Sequence, residues 1–182
     1  MHLFFRTLLH LFLSRRAPRI AATDVASITL RVLPTDLDVL GHLNNGVYLS
    51  MMDLGRMDLM VRAGAWSKLR AEGVYPVMAS ETISFRKSLE PWQRFDLETR
   101  LVGMDALAVY CEQRFVVDGE IYASAMTRGR FLRRGRGVVK SDEVAALLGV
   151  DAASLTPPEW VQRWASDVAL PSTRAEAPNI WD

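Results

Sequence analysis

The sequence predicts an α+β fold in which a curved antiparallel sheet wraps around one long central helix. Three observations lead there. A helical pattern from about Asn45 to Ala63 is apolar nearly all round, the mark of a buried helix. Four strand-like segments follow it in succession. The turns between them are short, so neighbouring strands pair antiparallel. A sheet folded onto the helix is the economical packing of that order.

Each element can be justified in turn. Residues 2–13 are Leu and Phe interrupted only by His2, Arg6, Thr7 and His10. His2, Arg6, His10 and Ser14 recur every four residues and form one polar stripe on a helix. The run is shorter than the ~20 apolar residues that span a bilayer, and it carries Arg6 inside it. Arg15, Arg16 and Pro18 follow it, where a cleaved signal peptide would have small residues. A helix lying in a membrane interface, with Arg15, Arg16 and Arg19 near anionic head groups, fits this pattern. A helix packed on a partner subunit fits it too. Residues 17–26 read as a linker, and Ile28 to Val32 alternate as a strand.

The loop from Pro34 to Gly41 leads into the central helix. Gly55 inside that helix costs ~1 kcal/mol against alanine, which a close approach by the sheet would explain. Val74 to Phe85 is one long extended stretch, and Phe95 to Leu101 alternate cleanly. A turn near Met104 and Asp105 precedes a strand from Leu107 to Val117. Asp118-Gly119 signals a type I′ hairpin into a last strand from Glu120 to about Leu132. Ser141 reads as the cap of a short helix that stops at Gly149. A further short helix after Pro157-Pro158 places Trp160 and Trp164 on one face. The chain therefore divides into an amphipathic helix and linker (1–24), a core domain (25–135) and a C-terminal helical extension with a tail (136–182).

Composition narrows the function. Of 182 residues 49% are hydrophobic and 24% charged, ordinary for a globular protein, and the net charge of +1 gives no global attraction to nucleic acid. The one cysteine, Cys111, lies in an apolar strand and reads as a buried, inert thiol.

The chemistry concentrates in Asp36-x-Asp38-x-x-Gly41-His42-x-Asn44-Asn45-x-x-Tyr48, just before and into the central helix. Positions 5 and 12 of a calcium loop begun at Asp36 would be Leu40 and Val47, which excludes that motif. His42 stands without the companions a zinc site needs. There is no Gly-x-Ser-x-Gly nucleophile elbow and no phosphate-binding P-loop. What remains is a carboxylate beside a helix N-terminus. The first N–H groups of a helix lack internal partners and can hold a developing oxyanion. Asp38 is placed to attack a carbonyl or to activate water. The same residues also suit plain turn and capping duty.

The run from Thr35 to Tyr48, followed by a long helix and four strands, resembles the 4-hydroxybenzoyl-CoA thioesterase-like branch of the hotdog superfamily. It is also similar to plant acyl-carrier-protein thioesterases. With Pro34 before it and Asp53 and Arg56 after it, it is most similar to the thioesterase superfamily member six group. The resemblance covers residues 25–135. It implies a hotdog fold, a homodimer or tetramer with sites at the subunit interface, and an acyl-CoA or acyl-carrier-protein thioester as substrate. It implies no metal and no cofactor, coenzyme A entering only as part of the substrate. Asp38 matches the catalytic aspartate, and Asn45 the residue whose backbone N–H faces the thioester carbonyl. His42 and Asn44 match positions that shape the loop, and Tyr48 borders the acyl chain or is plain core. Glu81 borders the site or is a solvated strand end. Leu40 stands where the plant enzymes have asparagine. Arg128, Arg130, Arg133, Arg134 and Arg136 either meet the phosphates of coenzyme A or form a solvated basic loop.

The expectation is an acyl-CoA thioesterase of lipid metabolism, cytoplasmic, with a peripheral contact at the inner membrane face through residues 2–16. Two alternatives share the residues: a non-catalytic acyl-CoA or lipid binder at the membrane, and a dimeric scaffold whose N-terminal helices recruit a partner.

Overall fold

In the computed structural model, residues 3–172 and 175–179 are described. The first helix, α1 (Phe4–Arg16), leads through a linker into β1 (Ala26–Arg31). A 3₁₀ turn at Pro34–Asp36 and the polar loop then deliver the chain to α2 (Asn45–Arg62) and a short α3 (Ala65–Ala71). Four long strands follow: β2 (Val74–Phe85), β3 (Arg94–Met104), β4 (Val109–Val117) and β5 (Glu120–Arg133). A two-residue β6 (Gly137–Val138), α4 (Ser141–Leu148) and α5 (Glu159–Asp167) complete the order. His2, the first residue of the expected polar stripe, lies outside the described residues.

All strands form one antiparallel sheet in the order β1-β3-β4-β5-β2, with β6 on the end of β5. The sheet curls over α2, and the expected hotdog fold is the fold observed. β2 is an edge strand, paired along its length only to β5.

Local chemistry explains the joints. Asp118 and Gly119 both take positive φ (50° and 80°), the type I′ hairpin the sequence predicts. Gly64 and Gly149 take φ of 73° and 74° and end α2 and α4 in left-handed caps. Two expectations need correction. β4 starts at Val109 rather than Leu107, because the Asp105 carboxylate accepts the N–H groups of Leu107 and Ala108 (both 2.8 Å) and holds them in a turn. Ser141 is the first helical residue, not the cap; its buried hydroxyl donates to the Ala108 carbonyl at 3.4 Å.

The core is split by a polar band. Tyr48, Met51, Met52, Phe95, Leu97 and Phe115 fill one half, under the first turns of α2. Leu69, Leu101, Val109 and Phe131, with Val144 of α4, fill the other. Between them lie the fully buried Thr99 and Gln113. Gln113 donates to Thr99 and to the Met52 carbonyl, both at 2.9 Å. Gly55 sits directly over this pair: a Cβ there would meet Thr99 Oγ1 at 2.5 Å and Gln113 Nε2 at 2.9 Å. The glycine therefore buys close helix-to-sheet approach, as its position inside the helix suggests.

α1 packs along α2, parallel to it, with its polar stripe inward. Arg6 pairs with Asp36 at 2.9 Å at one end. At the other, Ser14 donates to Asp58 at 2.6 Å, and Asp58 also accepts from Arg62. His10 lies half-buried between them, and burial, with the Arg6 charge, holds it below the usual histidine range.

Candidate active site

The loop before α2 is built around two aspartates with different fates. Asp36 is 1% exposed; besides Arg6 it accepts the Leu33 N–H at 2.9 Å, and its carbonyl accepts from Asn44 N–H at 2.9 Å. It locks the loop to both neighbours. Asp38, two residues on, is only half-buried. Its Oδ1 accepts the Leu40 N–H at 2.8 Å and the His42 N–H at 3.3 Å, while its backbone exchanges bonds with His42 and Gly41. Gly41 closes this turn at φ 81°, a conformation that favours glycine. Oδ2 of Asp38 has no hydrogen-bond partner among the described residues. Val39 and Leu40 stand at the tip, 100% and 76% exposed.

Asn44 is the N-cap of α2, its side-chain oxygen accepting the Gly46 N–H at 2.8 Å. The N–H groups of Val47 and Tyr48 turn back to the Asn44 carbonyl. That leaves the Asn45 N–H as the first-turn donor with no partner among the described residues, on an exposed face at the positive end of α2. His42 is half-exposed, with Nε2 3.6 Å from Glu90.

Asp38, His42, Asn44 and Asn45 are thus gathered at one end of α2. Tyr48 packs beneath them, 2% exposed, edge-on to Phe85 (5.0 Å) and Phe115 (4.8 Å). Glu81 is elsewhere. It faces Arg56, eleven residues or ~16 Å further along the helix. There Arg56 donates to Gln113 at 2.7 Å and Asp53 at 2.5 Å and lies 3.1 Å from Glu81. Burial pushes the Glu81 carboxyl above its ordinary range against the opposing pull of Arg56. The sequence marked Asp53 and Arg56; it did not mark Gln113 and Thr99, for which Gly55 was the only signal.

Arg56 borders a cavity of about 350 Å³ whose wall is mainly apolar. Met57, Met60 and Trp66 line it from the helices, Met78 and Phe131 from the sheet, and Thr7 from α1. Cys111 lines it as well, and burial pushes its thiol up to about 11, so it is a neutral wall residue. Of the five arginines near the end of β5, Arg128 bonds Tyr110 and lies by Asp105, and Arg133 pairs with Glu143 and Glu72. Arg134 and Arg136 are exposed.

The fold defines a class, the hotdog proteins, and in this chain a carboxylate stands in the loop just before the buried helix. Residues 32–165 match the family model described as the thioesterase-like superfamily, and the chain belongs to that family. Protein THEM6 of Xenopus laevis is 41% identical over 99 residues, 54% of this chain and 48% of that protein. The chain spans about half the length of the curated relatives it matches. Among solved structures, the YbaW probable thioesterase of Escherichia coli superposes with a TM-score of 0.64 at 17% identity, over 68% of this chain and 96% of that one. A DHNA-CoA thioesterase of Staphylococcus aureus gives 0.63 at 13% identity, over 81% and 97%. At these identities the two structures bear on the fold.

Proposed function

We propose that this protein hydrolyses an acyl-CoA thioester to a free carboxylic acid and coenzyme A. One observation carries the reading: Asp38 Oδ2, which no described residue engages, stands in the short loop leading into α2, whose first residue Asn45 carries an N–H that no described residue engages either. A thioester carbonyl polarised by that N–H is open to attack by Asp38 or by a water that Asp38 deprotonates. When water attacks, the acid forms directly and the proton taken by Asp38 passes to the departing thiolate. When Asp38 attacks, the thiolate leaves an acyl-aspartyl anhydride, which a water then hydrolyses, releasing the acid, restoring the carboxylate and supplying the proton for the thiol. Proteins similar to this chain include a probable thioesterase of Saccharomyces cerevisiae, and its structural neighbours include the Escherichia coli and Staphylococcus aureus thioesterases, which supports the same class. The apolar cavity beyond Arg56 suits an acyl group rather than a sugar or nucleotide.

The unpaired edge of β2 supports a homodimer. Twelve residues of strand with an open hydrogen-bonding edge pair readily with a second copy. Antiparallel pairing would lay the Tyr48–Phe85 corner of one subunit beside the Pro76–Met78 wall of the other, joining loop and cavity across the interface.

A second reading has one observation in its favour. Asp38 Oδ1 already serves the Leu40 and His42 N–H groups, as a purely structural turn would have it. On that reading the protein binds acyl-CoA or lipid without hydrolysis. Thiol release from short, long and aromatic acyl-CoAs decides between them. The hydrolase reading expects turnover in the wild type and its loss in a folded Asp38→Asn variant. Tight binding with no turnover in either establishes the binder.

A further inference from the structure

The outer face of α1 is built against the usual rule. Phe4, Phe5, Leu8, Leu9, Phe12 and Leu13 all face solvent, Phe5 at 83% exposure. The polar stripe that should face water is turned inward and fastened, through Arg6–Asp36 and Ser14–Asp58. A surface helix of a soluble domain has the opposite arrangement. The inward bonds fix the rotation of the helix, so the apolar face cannot roll back into the core without breaking both. A contiguous face of this kind marks an interaction site.

Its surroundings identify the occupant. Arg15 and Arg16 stand exposed at the C-terminal end, with the Arg16 guanidinium 3.5 Å over the Phe12 ring. From Phe4 to Arg16 there is no carboxylate. A protein interface of this size would carry hydrogen-bonding groups and a mixed polar rim. A second copy of α1 would bring more apolar surface and more arginine, with no complementary charge. An apolar face with exposed cations at one end and no carboxylate on its own helix is complementary to acyl chains under anionic head groups.

We propose that α1 docks this protein on an anionic lipid surface, lying flat with its Leu/Phe face in the head-group boundary. At 13 residues the helix is ~20 Å long, short of the ~30 Å hydrocarbon core. No described helix is long and apolar enough to cross a membrane. The helix carries the rest of the molecule with it. The Arg6–Asp36 pair ties its N-terminal end to the Asp38 loop, whose tip is the exposed Val39 and Leu40. Thr7, on the same helix, lines the apolar cavity. Docking therefore brings loop and cavity to the lipid boundary. The docking itself does not depend on thioester hydrolysis.

The test is co-sedimentation of the full chain with vesicles of phosphatidylcholine, alone or mixed with phosphatidylglycerol. Two variants accompany the wild type: Phe5→Ser/Leu9→Ser/Phe12→Ser, which alters only exposed positions, and Arg15→Glu/Arg16→Glu, which keeps the apolar face. The proposal expects the wild type to pellet with the mixed vesicles. The serine variant should lose ~10-fold or more in partitioning, with its circular dichroism unchanged. The glutamate variant should lose its preference for the anionic vesicles. A wild type that stays in the supernatant with both vesicles overturns the proposal. So does a vesicle-indifferent assembly that the serine variant dissociates, which would assign the face to a second copy.

Discussion

Arg6 and Asp36 form an ion pair at 2.9 Å in which the carboxylate is 1% exposed, joining the N-terminal helix to the loop before α2. Removing one partner strands the other in a poorly solvated site. Such losses cost ~3–5 kcal/mol, far more than a surface pair is worth. Arg6→Ala should therefore lower the urea midpoint by the equivalent of ~3 kcal/mol and expose α1 to protease. Arg6→Met/Asp36→Leu, which removes both charges, should recover most of that loss. A single variant as stable as the wild type would show that α1 is not anchored there.

Gly55 over Thr99 and Gln113 gives a second prediction. Helix propensity alone would make Gly55→Ala stabilising by ~1 kcal/mol. The added methyl would instead meet Thr99 Oγ1 at 2.5 Å, and overpacking costs ~1–3 kcal/mol. The net expectation is destabilisation of up to ~2 kcal/mol. Thr99→Ala in the same chain should relieve part of it, giving a coupling measurable by a double-mutant cycle in urea.

These two sites show what was legible in the sequence. The order of elements was, because periodicity and turn chemistry are local: Asp118-Gly119 needs no distant partner to demand positive φ. The helix with a glycine inside it, and the polar loop ahead of it, were readable for the same reason. Which way α1 faces was not, since its stripe is held by residues thirty and forty-four positions away. Nor was the burial of Asp36 under Arg6, two residues from an Asp38 that a tight turn leaves half-buried. Gln113 looked like one more strand residue; its role appears only when β4 lies under Met52 and beside Thr99. Glu81 shares a strand with Phe85 but meets the middle of α2, because β2 runs the length of the helix.

Tyr110 and Asp105 carry a pH prediction. Tyr110 donates to Asp105 at 2.6 Å. Burial pushes the Asp105 carboxyl up, but the bonds from Tyr110, Leu107 and Ala108, with Arg128 nearby, together hold it below its ordinary value. A depressed carboxyl stabilises the fold above its unfolded pKa of ~3.9 and loses that contribution as pH falls through the folded value. Tyr110→Phe should thus cost ~1 kcal/mol at neutral pH, at the low end for a charged hydrogen bond because Asp105 is 38% exposed. The difference should shrink in acid. Burial and Asp105 push the Tyr110 hydroxyl up to about 12. Its contribution is present below ~10, the unfolded value, and is lost as pH rises through the folded one. Urea midpoints of the two proteins across pH, with tyrosinate absorbance at the alkaline end, check both limbs.

Asn44 separates folding from chemistry at the proposed active site. Its side chain caps α2 through the Gly46 N–H at 2.8 Å, and the neighbouring Asn45 N–H is the one left for a substrate carbonyl. Asn44→Ala should lose the cap, costing ~1 kcal/mol of stability and loosening the donor. Asn44→Asp keeps an accepting oxygen and adds a negative charge that the helix N-terminus tolerates well, so stability should hold near wild type. That charge sits next to the position where the thioester oxygen would become negative, and it should oppose the transition state more than substrate binding. The expected result is a folded, stable Asn44→Asp protein whose kcat falls ~10-fold or more while KM changes little. A fall in kcat confined to Asn44→Ala would mean that Asn44 acts only by holding the helix. An unchanged kcat in both would place the carbonyl away from this helix end.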